Sequence, residues 1–207
     1  MNTQISVGSR TGLVLALGGM AVLPTVAGAQ EQGEYDWKVF VGGAYVIPID
    51  DETIDGSTIE ATNEFGYELG IEWKPLDRFG FELAYFDANP DVEVDGDKVG
   101  DIDFKPWNLT FNVHLIDRNA FNWYIGPTVS FIDWGNLNAD DGSESIEVDS
   151  ETGFGVSTGL AIGIGETFAI QIGLRYLDAS AKEKGGSSDD EVGVDPLFAS
   201  VGFAFRF

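Results

Sequence analysis

Between positions 64 and 73 the chain alternates without a break. Phe65, Tyr67, Leu69, Ile71 and Trp73 take every second place, and Glu64, Gly66, Glu68, Gly70 and Glu72 fill the places between. A period of two puts these sets on opposite faces of a β-strand. Seven further runs alternate in the same way, at 37–49, 80–86, 104–115, 123–134, 153–164, 168–178 and 196–207. Their connections differ in length by turns: 74–79, 116–122 and 165–167 are short, whereas 48–62, 87–103, 135–151 and 181–195 are long. Eight runs joined in this manner predict an all-β fold. The expected architecture is an eight-stranded antiparallel transmembrane β-barrel with short periplasmic turns and long extracellular loops.

A soluble barrel would share the alternation, so the character of each face decides between the two. One face is nearly free of charge: Val39, Val41, Tyr45 and Ile47; Phe81, Leu83 and Tyr85; Leu109, Phe111, Val113 and Leu115. Ile125, Val129 and Phe131, then Phe154, Val156, Leu160 and Ile162, and finally Ile170, Ile172, Leu174, Val201, Phe203 and Phe205 continue it. The opposite face of the sixth run is Gly153, Gly155, Ser157, Gly159, Ala161 and Gly163. Such a series makes a poor solubilising surface but fits the narrow lumen of eight strands. The large apolar face is therefore expected on lipid. Aromatic residues gather at the run ends (Trp37, Trp73, Phe79, Trp107, Trp123, Phe168, Phe207), where amphipathic rings favour the membrane–water boundary.

Charge sharpens the division. The four long connections hold 23 of the 35 acids and 3 of the 11 bases, in a chain of net charge −24. A charge of that sign repels a phosphate backbone, so nucleic acid is not an expected partner. Residues 1–29 read as a cleaved secretory signal: Arg10, an apolar stretch from Leu13 to Val26, and Ala27-Gly28-Ala29. The barrel is expected as one domain over 30–207. No cysteine is present, which rules out thiol chemistry and a lipid anchor on sulfur, and the one histidine is His114.

The strands "WKVFVGGAYVIP" (37–48), "FNWYIGPTVSFIDW" (121–134) and "LRYLDASAK" (174–182), with the last strand "VDPLFASVGFAFRF" (194–207), resemble the OmpW family of small outer-membrane barrels. The resemblance implies residence in the outer membrane of a Gram-negative bacterium, in contact with its lipids and lipopolysaccharide. It likens Phe207 to the terminal aromatic residue read by the barrel assembly machinery. It also implies uptake of small hydrophobic molecules, with release sideways through the wall. Phe40 departs from the pattern, standing at an interior first-strand position where a polar or basic residue is usual.

Placing the apolar face outside fixes what points inward. Lys38, Glu72, Glu82, His114 and Arg206 are expected near the short turns, with Glu68, Gln171 and Arg175 above them. Charges withdrawn from water must be paired, so Glu68, Glu72 and Glu82 are expected to meet Lys38, Arg175 and Arg206 in a network that closes the periplasmic end. Toward the long loops the inward set becomes apolar: Val46, Phe86, Phe104, Ile132, Trp134 and Leu177. These six are the expected ligand-binding residues of an apolar space over a charged floor. Pro106 and Pro127 each remove a ladder donor, and a weak seam is expected between the fourth and fifth strands that carry them. The alternative is a non-transporting structural or adhesive barrel whose acidic loops bind cations or lipopolysaccharide. His114 lacks the neighbouring nucleophile that catalysis needs, and no enzyme activity, cofactor or metal site is expected. The stretch 91–102 has oxygen-bearing residues at positions 1, 3, 5 and 7 of a calcium loop and Gly96 at 6, but Ile102 stands at position 12 and no helices flank it.

Overall fold

The computed structural model describes residues 36–49, 52–54, 57–118, 120–139, 146–147, 150–182, 191–193 and 195–207; the expected signal segment lies outside them. The strands are β1 (Trp37–Pro48), β2 (Glu52–Ile54), β3 (Ser57–Ala61), β4 (Glu64–Leu76), β5 (Phe79–Asp87), β6 (Asp91–Val94), β7 (Asp97–Arg118), β8 (Phe121–Ala139), β9 (Ile146–Glu147), β10 (Glu151–Ile164), β11 (Phe168–Asp178), β12 (Ser180–Lys182), β13 (Glu191–Gly193) and β14 (Pro196–Arg206). Eight of them close into a barrel through antiparallel pairing, in the cyclic order β1, β4, β5, β7, β8, β10, β11, β14 and back to β1. Closure leaves no open sheet edge, the condition for a sheet to stand in hydrocarbon.

Register carries the two faces coherently around the wall. Val41 pairs with both Phe203 and Leu69 on the outside, and Lys38 with both Arg206 and Glu72 on the inside. Leu69 is 45% exposed, Phe111 37% and Phe203 67%, whereas Glu72, Asn108, Asn112 and His114 are buried. So inverted an arrangement, apolar outside and polar inside, is that of a barrel surrounded by lipid. Aromatic rings form a chain on the outer surface toward the short turns: Trp37 stacks on Trp73, Trp73 on Phe81, and Phe111 meets both Phe79 and Phe81, with centroids 5.3–6.2 Å apart.

The loops differ from expectation. β7 and β8 continue far above the lipid belt, paired as far as Gly100↔Ala139, so segments read as loops are partly sheet. The reason lies in the alternation itself: Ile102 and Phe104 still point inward, while Asp101, Asp103 and Lys105 occupy the outward places, now facing water. The calcium-like stretch is the β6–β7 hairpin. Its turn residues Asp95 and Gly96 have φ of 54° and 84°, the pair of left-handed conformations that a two-residue turn of mirror type demands and that Asp-Gly supplies. The oxygen spacing of Asp91, Glu93, Asp95 and Asp97 thus follows hairpin geometry. Among the described residues no group of three or more His, Asp or Glu side chains is arranged to hold a metal ion.

Because Leu69 lies on the lipid face, Leu69→Arg is expected to lower the unfolding free energy by about 2–4 kcal/mol. Denaturant titration in phospholipid vesicles checks this; a cost near zero would mean that Leu69 does not meet hydrocarbon.

Candidate functional site: an ionic floor beneath an apolar upper lumen

The inward positions sort by height. At the short-turn end, Lys38 Nζ lies 2.8 Å from Glu72 Oε2 and 3.7 Å from Glu82 Oε2, and sits 4.7 Å from the centre of the Tyr124 ring. Asn112 Nδ2 donates to Glu72 Oε1 at 2.8 Å and to Glu82 Oε2 at 3.4 Å. His114 bridges Glu72 Oε1 and Asn122 Oδ1, each at 3.0 Å. Asn122 Nδ2 donates to Asp117 Oδ1 at 2.7 Å, which fixes the amide orientation, and Asp117 is ion-paired with Lys74. Both ring nitrogens of His114 therefore face acceptor oxygens. Its partners are a carboxylate and a carboxamide.

One step higher, Arg175 binds Glu68 Oε1 at 2.8 Å through Nη1 and Glu82 Oε1 at 3.2 Å through Nη2, and its Nε donates to Ser157 Oγ at 2.9 Å. Hydroxyl contacts continue from Ser157 to Thr128 at 2.7 Å and from Thr128 to Thr110 at 2.8 Å. The carboxylates of Glu68 and Glu82 are thus joined through Arg175, and those of Glu82 and Glu72 through Lys38. Arg206, expected among these pairs, donates from Nη2 to the backbone carbonyls of Gly165 and Phe168, both at 3.3 Å, and so ties down the last short turn. A cavity of about 10 Å³ beside Glu68, Glu82, Tyr124, Gln171 and Arg175 is room for roughly one water. Small residues admit the larger ones: a Cβ on Gly159 would stand 2.3 Å from the Tyr124 hydroxyl, and one on Gly70 would stand 2.4 Å from Phe40, whose ring lies inside near Ala84, Ala161, Ala169 and Ala204.

Above the polar layers, Val46, Phe86, Phe104, Ile132, Trp134 and Leu177 come together in one cluster with Phe198, Ala44, Ala88, Ile102 and Ala179. The concave space expected among the six is filled by their own side chains. Phe104 lies 4.7 Å from Trp134, 6.2 Å from Phe86 and 5.9 Å from Phe198, and Phe86 meets Phe198 edge-on at 5.1 Å. Phe198, which the sequence reading left out, reaches in from β14 and completes the filling of a bore only wide enough for side chains.

The two prolines interrupt different ladders. β5 and β7 pair from Phe79↔Val113 to Tyr85↔Trp107 and meet again only at Ala88↔Phe104, skipping the place where Phe86 faces Pro106. Ala88 and Phe104 exchange both backbone hydrogen bonds there, so by strand alternation the N–H that Pro106 lacks belongs on the β5 side. Opposite Pro127 the β7–β8 pairing passes from Thr110↔Thr128 to Val113↔Ile125. The single seam expected between the fourth and fifth strands is therefore two separate gaps. The upper one lies between the third and fourth barrel strands, beside the apolar cluster. On the other side of β5, Gly43, Glu64, Phe65, Gly66, Tyr67, Asp87 and Asn89 line a groove of about 490 Å³ in the wall. On the inner side of Gly66 the Phe86 ring lies 2.6 Å from where a Cβ would be.

Several residues of the site were not named from sequence: Lys74, Asn108, Thr110, Asn112, Asp117, Asn122, Tyr124, Thr128 and Ser130. Lys74, Asp117 and Asn122 fell in segments read as turns. The others stand in phase with inward residues that had been named, and the alternation alone could have found them.

Geometry of this kind defines a small outer-membrane barrel: eight closed strands, a lipid-facing apolar belt and an occluded polar lumen. The OmpW family profile matches residues 38–207, and the chain belongs to the OmpW family, outer-membrane proteins of Gram-negative bacteria. Among solved structures it is similar to OprG from Pseudomonas aeruginosa, with a TM-score of 0.73 and 21% identity over 84% of this chain and 96% of that one. It is also similar to the Escherichia coli outer membrane protein W, with a TM-score of 0.54 and 18% identity over 84% and 98%. AlkL, determined in lipid bilayers, matches with a TM-score of 0.56 and 16% identity over 89% and 94%. No curated protein matches the chain.

Lys38→Met leaves Glu72 and Glu82 short of a buried cation, and is expected to lower the unfolding free energy by about 3 kcal/mol. A loss below ~1 kcal/mol in the same vesicle titration would show that water reaches these carboxylates.

Proposed function

We propose that the protein is a binding tunnel for small hydrophobic molecules, taken in at the extracellular end and released sideways into the membrane. The carrying observation is the stacking of two unlike halves. An apolar cluster fills the outer half of the bore, and directly under it the carboxylates of Glu68, Glu72 and Glu82 are engaged by Lys38 and Arg175. An apolar solute gains by replacing side-chain contacts in the upper half, and it loses on meeting desolvated charges below. The way out consistent with this is lateral. The β5–β7 ladder is broken at Phe86 and Pro106, at the height of the cluster, and a groove in the wall lies across β5 from the break.

The close packing of Phe86, Phe104, Trp134 and Phe198 in the upper lumen favours a second reading, a structural or adhesive barrel whose acidic loops meet cations or lipopolysaccharide. In the transport reading, Phe86, Phe104 and Trp134 must give way to the solute. Under the structural reading they never do.

Transfer of an apolar fluorescent solute into proteoliposomes separates the two. Phe104→Asp is expected to abolish transfer, and Pro106→Ala, which restores a donor opposite the Phe86 carbonyl, is expected to reduce it severalfold while leaving the barrel folded. Unchanged transfer in Phe104→Asp would leave the structural reading standing.

A further inference from the structure

One layer of the lumen belongs to neither half. Beneath the layer of Phe86, Pro106 and Ile132, the register brings Ala84, Asn108, Ser130 and Gly153 to one height on adjacent strands. Asn108 and Ser130 are fully buried, and they are cross-strand partners pointing the same way. Yet Asn108 Nδ2, Asn108 Oδ1 and Ser130 Oγ have no hydrogen-bond partner in the protein. Buried polar side chains are normally satisfied, and the layer just below shows how readily this barrel does it, with Thr110 and Thr128 joined at 2.8 Å. Two unlike residues with unused donor and acceptor capacity thus form the base of the apolar cluster.

We infer that the upper lumen selects uncharged amphipathic molecules, a short hydrocarbon tail ending in a hydroxyl or carboxamide, and that Asn108 and Ser130 hold the polar end. This rests on the uptake reading and narrows its substrate class. The free atoms are one amide donor, one amide acceptor and one hydroxyl that does both, a set matched by a head that also donates and accepts. Charged heads fit poorly. The nearest ions are Glu68, Glu82 and Arg175, already bound to one another, and Arg175 has its remaining contact on Ser157. An anionic head meets two carboxylates and a cation already engaged. Ala84 and Gly153 contribute no large side chain of their own to this layer.

The test uses the folded full chain in phospholipid nanodiscs, with titrations of 1-octanol, octane and octanoate corrected for empty discs. The octanol-to-octane affinity ratio is expected to fall about tenfold in the Asn108→Leu/Ser130→Ala variant, the worth of one to two hydrogen bonds, with octane binding retained. In the wild type, the Asn108 side-chain amide resonances are expected to shift with octanol and to stay in place with octane. These two readouts on the wild type decide the matter even if the variant does not fold. Octane and octanol perturbing the Asn108 amide alike, an unchanged ratio in the variant, or octanoate binding more tightly than octanol would each overturn the inference while leaving apolar uptake intact. If neither octane nor octanol binds, the uptake reading falls as well.

Discussion

Everything in this molecule depends on satisfying backbone hydrogen bonds where no water can do so. In hydrocarbon an unpaired N–H or carbonyl costs several kcal/mol, so the sheet must close, and β7 must find β8 as β1 finds β14. Closure of eight strands sets a bore that side chains alone can fill. Alternation then assigns every residue of the wall to lipid or to that bore. Phe203 and Arg206 stand three residues apart in one strand, and this rule sends the first into hydrocarbon and the second into a buried polar interior.

A narrow bore forces a choice at each height between filling with hydrocarbon and filling with paired polar groups. Near the periplasm the chain takes the second course. Because a buried charge without its partner is strongly destabilising, Glu72 is held by Lys38, His114 and Asn112 together, and Glu82 by Lys38, Arg175 and Asn112. Such a network tolerates little rearrangement, since any movement breaks several contacts at once. The apolar half is different in kind. Aromatic contacts among Phe86, Phe104, Trp134 and Phe198 are not directional in the same degree, and repacking them loses dispersion but strands no charge. The barrel is therefore stiff at its base and adaptable at its mouth for reasons of chemistry.

How much of this could be read from the chain follows from which facts are periodic. The wall was legible: Phe65 to Trp73 and Leu109 to Leu115 alternate plainly, and each inward charge named from the sequence, from Lys38 to Arg206, stands in phase with its own strand. The apolar cluster was legible as a set of six, because Val46, Phe86, Phe104, Ile132, Trp134 and Leu177 share that phase. What could not be read was distance across the lumen. No pattern says that Phe198 crosses to meet Phe86, or that Arg206 turns to the Gly165 and Phe168 carbonyls. The extent of β7 and β8 was missed for a physical reason, because above the lipid the outward residues become Asp101, Asp103 and Lys105, and hydrophobicity no longer marks the strand. The two prolines were read as weak points, but which neighbour each one fails depends on hydrogen-bond direction, a property of the closed ladder.

The position of the break beside Pro106 bears on how the two halves act together. Widening the gap opposite Pro127, at the level of Asn112 and the ionic floor, would expose paired charges to acyl chains and would be costly; a gap above the lipid would open only to water. The break beside Pro106 lies at the height of Phe86, where the residues behind it are apolar, and the groove bounded by Phe65 and Gly66 lies across β5 from it. There, loss of a ladder hydrogen bond exposes one carbonyl rather than a charge, and the outward neighbours change from Tyr85 and Trp107 to Asp87 and Lys105, at the upper edge of the apolar belt. A molecule moving out through the break would change its neighbours from aromatic side chains to acyl chains with little change in solvation, while the floor below keeps water and ions from following. The same wall that must be sealed nearly everywhere is thus least costly to open at the one height where the inside of the barrel resembles the membrane.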